Sequence, residues 1–131
     1  MIIGTGNFSG RNGYRLEGSF TLTRQPSGTI FLETSEDFFF GNNTGGGTPA
    51  PGFAFFAGDP TGLPDETVGE VALNTDFLRI ADQKVSVSGK QSGEVPDTIN
   101  LEDFDTLFLW CFEVPFVLGV GSIVPGAQDG N

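Results

Sequence analysis

The stretch Leu107-Phe108-Leu109-Trp110-Cys111-Phe112 decides how this chain folds. Side chains of a β-strand alternate between two faces, and here both sets are apolar. Leu107, Leu109 and Cys111 share one face; Phe108, Trp110 and Phe112 share the other. A strand that is apolar on both faces is buried on both faces. The same six residues hold the only cysteine and the only tryptophan, so the segment is also the first place to look for chemistry.

Moving outward, the flanking sequence reads as further short strands. Tyr14 to Arg24 alternates, with Tyr14, Leu16, Phe20 and Leu22 on one side and Arg15, Glu17, Ser19, Thr21 and Thr23 on the other. This is the pattern of a half-buried antiparallel strand. Pro26-Ser27-Gly28 turns the chain, and Thr29 to Thr34 returns as its hairpin partner. Phe38-Phe39-Phe40, the compact Phe53-Ala54-Phe55-Phe56-Ala57, Val71-Ala72-Leu73, Phe77 to Ile80, Lys84 to Ser88, Thr98 to Leu101 and Phe116 to Ile123 are the other strand candidates. Two long loops interrupt them, one Gly/Asn/Thr-rich from Gly41 to Gly52 and one acidic from Gly58 to Glu70, and Gly89 to Pro96 breaks the pattern again.

Composition agrees. Twenty glycines and eight prolines cut the 131 residues into short pieces, and fourteen phenylalanines supply apolar volume without polar atoms to satisfy. No long stretch with a 3.6-residue period is evident. The expected fold is all-β, a single-domain antiparallel β-sandwich or flattened barrel spanning residues 4–123, with a flexible tail over 124–131.

Charge and composition exclude whole classes of function. The net charge of −11 repels phosphate backbones and anionic lipid, which argues against nucleic-acid and membrane-surface partners. No apolar run is long enough to cross a bilayer, and no secretory signal stands at the start. Histidine is absent, which removes Ser-His and Cys-His nucleophile pairs and His-ligated zinc or haem. A single cysteine forbids an internal disulfide. Paired carboxylates remain for glycoside hydrolysis, but nothing fixes two of them at a catalytic separation. A stand-alone enzyme is therefore not expected. The sequons Asn7-Phe8-Ser9 and Asn42-Asn43-Thr44 matter only in a secreted eukaryotic protein.

Phe104-Asp105-Thr106-Leu107-Phe108-Leu109-Trp110-Cys111, followed by Val114, Phe116, Leu118 and Gly119, resembles the aliphatic-x-Trp-Cys strand of the DM13 domain family, a small all-β module. The opening Gly6-Asn7-Phe8-Ser9-Gly10, the Leu16 to Phe20 strand and Phe53 to Gly58 resemble other parts of the family pattern, so the likeness runs from about Gly4 to Ile123. The resemblance implies an extracytoplasmic (periplasmic or secreted) module with a redox or electron-transfer role. Its centre would be Cys111, with Trp110 as neighbour and a protein as redox partner. This chain departs from the pattern at Phe112, where the family often carries a basic residue, and in the Gly41–Gly52 loop, which looks like an insertion.

Two readings of Cys111 stay open. A reactive thiol needs a cation, a helix N-terminus or a metal beside it, and the local sequence offers Phe112 and Glu113 instead. The alternative is a core cysteine within a non-catalytic binding or structural module, whose acidic loops meet a protein, a glycan or calcium. For calcium, the candidates are Asp97, Glu102, Asp103 and Asp105, since Asp103 and Asp105 at i, i+2 share one side of an extended segment. No EF-hand spacing accompanies them.

Overall fold

The computed structural model describes residues 1–41, 51–80, 86–112 and 116–126. In chain order the strands are β1 (Ile2–Asn7), β2 (Ser9–Gly10), β3 (Arg15–Glu17), β4 (Ser19–Arg24), β5 (Ile30–Thr34), β6 (Phe39–Gly41) and β7 (Pro51–Phe56). A helix, α1 (Asp65–Thr75), precedes β8 (Leu78–Arg79), β9 (Val87–Ser88) and β10 (Ser92–Val95). A 3-10 turn (Leu101–Asp103) leads into β11 (Thr106–Cys111), β12 (Phe116–Ser122) and β13 (Val124–Pro125).

All pairings are antiparallel and form three sheets, in the orders β10-β5-β4-β1-β13, β2-β12-β11-β7-β8 and β3-β6-β9. The architecture is sandwich-like and no barrel closes. β11 lies at the centre of the second sheet, between β12 and β7, as its two apolar faces require.

Each face of β11 has its own cover. Leu107, Leu109 and Cys111 turn inward and join Phe53, Phe55 and Leu118 with Phe20, Leu22 and Leu32 of the first sheet in the main core. Phe108 and Trp110 turn outward with Ala54, Phe56, Val117 and Val120, and the helix residues Val68 and Ala72 complete that second cluster. A register shift, in which Leu109 pairs Gly119 and Trp110 pairs Val117, skips Leu118 and lets it point inward beside Gly119.

The helix corrects the expectation of an acidic loop to Glu70 followed by a strand at Val71-Ala72-Leu73. Pro64 leads into Asp65 and Glu66 in the first turn, and Val68, Val71, Ala72 and Thr75 recur at helical spacing. Gly69 at its middle and the brevity of the segment hide that period. Three smaller corrections follow. The Tyr14 to Arg24 strand is broken at Gly18, whose φ of +104° bends the chain from the third sheet into the first. Ser92–Val95, within the expected breaker segment, pairs with β5, whereas Thr98 to Leu101 is a turn and the start of the 3-10 turn rather than a strand. Val124 and Pro125, expected to begin a flexible tail, pair with Thr5 and Gly4. The tail beyond Gly126, most of the Gly41–Gly52 loop and Lys84-Val85 lie outside the described residues.

Thr75 fastens the helix to the sheet. Beyond the two-residue β8, the free edge of β7 offers the N–H and C=O of Phe55. The Thr75 hydroxyl accepts from that N–H at 3.0 Å and lies 3.1 Å from that carbonyl, with Val71 O as its second possible acceptor at 2.9 Å. Thr75→Val keeps the shape but strands a buried N–H, so a loss of about 1–3 kcal/mol is expected, read as a lower urea midpoint. Thr75→Ser, which keeps the hydroxyl, should recover much of it.

Candidate binding pocket on the helix side

A cavity opens beside the outward face of β11, next to its aromatic cluster. Phe56 and Phe108 meet edge to face at 6.0 Å, and Phe108 and Trp110 do so at 5.9 Å. This chain of rings holds the indole in place, leaving it 2% exposed. Above it α1 presents Gly69. A β-carbon there would lie 3.8 Å from Trp110 Cζ2, in ordinary van der Waals contact, so the glycine leaves a gap between the helix and the indole. The result is a cavity of about 560 Å³ lined by Asp65, Glu66, Gly69, Glu70 and Leu73 of the helix and by Trp110 and Phe112 of the sheet side.

Two features give this cavity chemical character. The Trp110 side chain is almost wholly buried and lines the pocket. The rim is acidic: among the described residues the ion pairs join Arg11 to Asp59, Arg15 to Glu17, Arg79 to Asp76 and Lys90 to Glu33, and none of these reaches Asp65, Glu66 or Glu70. Leu73, 72% exposed, adds an apolar lip.

Phe112 at the pocket's end already holds one cation. The Arg79 guanidinium lies 4.0 Å from its ring centroid and is tied to Asp76 at 2.8 Å. Gly52 makes room for this stack, because a β-carbon there would come within 2.7 Å of Arg79 Cδ and 3.0 Å of Phe112 Cε2.

The sequence-derived candidates are placed differently. Trp110 and Cys111 sit on opposite faces of β11, as strand alternation requires. Cys111 is 2% exposed and belongs to the main core, with its backbone paired to Pro51 and Phe116. Asp105 is a bracket: its carboxylate accepts from Gly58 N, its own N–H donates to Phe56 O, and its carbonyl accepts from Ile123 N. Asp97 and Glu102 line a separate cavity of about 640 Å³ beside β5 and β10. Glu102 and Asp105 border another of about 490 Å³ near Met1 and Phe104, and Asp103 lines neither. Among the described residues no three acidic or cysteine side chains are grouped to hold a metal ion. Among the same residues no helix is long and apolar enough to cross a membrane.

The pocket combines residues 65–73 with residues 110–112, and only the unrecognised helix brings them together. Its acids and its tryptophan were each visible in the sequence; their meeting was not. Comparison with protein-family models, curated proteins and solved structures finds no match to this chain.

Proposed function

We propose that this protein is a non-catalytic binding module whose ligand site is the pocket between α1 and β11, with Cys111 as a core residue. The observation that carries the reading is the cavity of about 560 Å³ between α1 and β11, walled by Trp110 and Phe112 and rimmed by Asp65, Glu66 and Glu70. The carboxylates of the rim and the apolar Leu73 supply the contacts such a site needs. The DM13-like alternative, with Cys111 as a redox centre, requires a partner to reach a thiol that faces the sandwich interior, and the burial speaks against it. An extracytoplasmic setting belongs to the proposal, on the strength of the resemblance and the acidic composition.

Because Trp110 is the only tryptophan, its indole gives one isolated nitrogen–proton cross-peak in a labelled sample. A panel of small amines, carboxylates, saccharides and neutral amides is expected to contain a class that moves this peak in the wild type. The same class should leave it unmoved in Gly69→Gln or Gly69→Leu, which fill the cavity. A cross-peak indifferent to every class would overturn the reading.

A further inference from the structure

We infer that, independently of any ligand, Asn12 is a self-modifying site: the Asn12–Gly13 junction converts to aspartate and isoaspartate when its turn opens, and the products release the edge of β12. The junction is the only Asn-Gly pair in the chain, and both residues are exposed. Asn12 (φ +57°) and Gly13 (φ +88°) are the central residues of a tight turn, closed by Tyr14 N donating to Arg11 O at 3.1 Å. Two positive φ values in succession make it type I′. Among the described residues, Asn12 alone has a positive φ without being glycine. The turn caps β12 where β2 ends. Arg11 N donates to Leu118 O at 3.0 Å, and Asn12 Nδ2 donates to Val117 O at 2.8 Å. These carbonyls stand at the register shift that sends Leu118 inward and leaves Val117 opposite Trp110.

Glycine makes the junction reactive, because no β-carbon stands beside its amide nitrogen to block an approach to Asn12 Cγ. Once hydroxide has taken its proton, Gly13 N bonds to Cγ, the Cγ–Nδ2 bond breaks and Nδ2 leaves as ammonia. Water then opens the resulting succinimide at either carbonyl. One cut gives aspartate; the other gives isoaspartate, with an extra methylene in the main chain. The balance is asparagine and water to acid and ammonia, so neither oxidant nor enzyme is required. The fold restrains the reaction through the contacts that the reaction would destroy. Nδ2, the leaving group, is held by Val117 O, and the bond that closes the turn holds Gly13 in place. Either product removes the donor to Val117 O and sets a carboxylate there instead, on a chain already at −11.

The test incubates the full chain folded and, in parallel, unfolded in urea, in one mildly alkaline buffer. Peptide mapping follows the amide-to-acid mass gain at each asparagine. Residue 12 should convert ahead of every other asparagine in both samples. It should do so roughly tenfold more slowly when folded, because two hydrogen bonds must open first. Asn12→Gly, which tolerates the positive φ, should abolish this early mass gain. The converted fraction, separated by anion exchange, should unfold at a lower urea midpoint than the unreacted protein, and Asn12→Asp should share that loss. Equal rates in the two samples would overturn the restraint by the turn. No conversion at residue 12 in the folded chain once the urea sample is complete would overturn the site itself. A converted fraction as stable as the starting protein would overturn the release of β12.

Discussion

Phe53→Ala is expected to lower stability by about 3–5 kcal/mol. Phe53 is wholly buried in the middle of β7, and its ring lies 5.7 Å from that of Phe8 and 6.1 Å from that of Phe38. Phe8 in turn meets Phe20 at 5.1 Å and Phe38 at 5.5 Å, so Phe53 ties the central sheet to the aromatic cluster opposite. Truncation removes the transfer free energy of the ring and leaves a cavity whose walls, held on paired strands, collapse only in part. A domain of this kind is stable by some 5–15 kcal/mol, so about a fifth or more of the total is at stake. Chemical denaturation should show a lower midpoint with an unchanged slope. A loss under about 1 kcal/mol would mean that the aromatic layer is looser than its ring contacts imply.

Gly6→Ala should cost about 2–3 kcal/mol for the opposite reason, because the site is already full. Gly6 pairs with Phe20 across β1 and β4, and a β-carbon on it would come within 2.4 Å of the Phe20 ring and 2.4 Å of the Ser122 carbonyl. The ring could swing away, but the carbonyl belongs to the backbone of β12 in the other sheet. Gly121 faces the same ring, with only 2.7 Å between its would-be β-carbon and Phe20 Cε1. Two glycines thus let the two sheets close over one phenylalanine. Gly28→Ala offers the contrast: open space surrounds that position, so any cost comes from its φ of +96° and not from packing. Thermal unfolding of both variants separates the two mechanisms.

The strands that carry the core were legible because their chemistry is local. Phe53 to Phe56 and Leu107 to Cys111 are apolar runs between turn residues, and both are buried throughout. β11 even announced a cover on its second face, though not what supplies it. The helix that does so was hidden because Gly69 and Thr67 weaken its propensity and its buried stripe uses Ala72 and Thr75 in place of large apolar residues. The break at Gly18 was hidden for another reason: Leu16 and Phe20 are both buried, so the alternation runs unbroken through a change of sheet. The candidate site depends on all of this. A pocket joining a short helix to a distant strand leaves no spacing signal, so only the fold places the acids of residues 65–70 over Trp110.

β11 thus has an inner face that holds the sandwich together and an outer face covered by α1, beside which the proposed ligand pocket lies. The most direct test of that division is the alkylation rate of Cys111 in the folded protein against the same rate after unfolding, followed by intact mass from pH 6 to 9. With the thiol inward and 2% exposed, native labelling should wait on opening of the sheet and run at least about a thousandfold slower throughout. A native rate within tenfold of the unfolded one would place a reachable thiol on β11 and return the redox reading to first place.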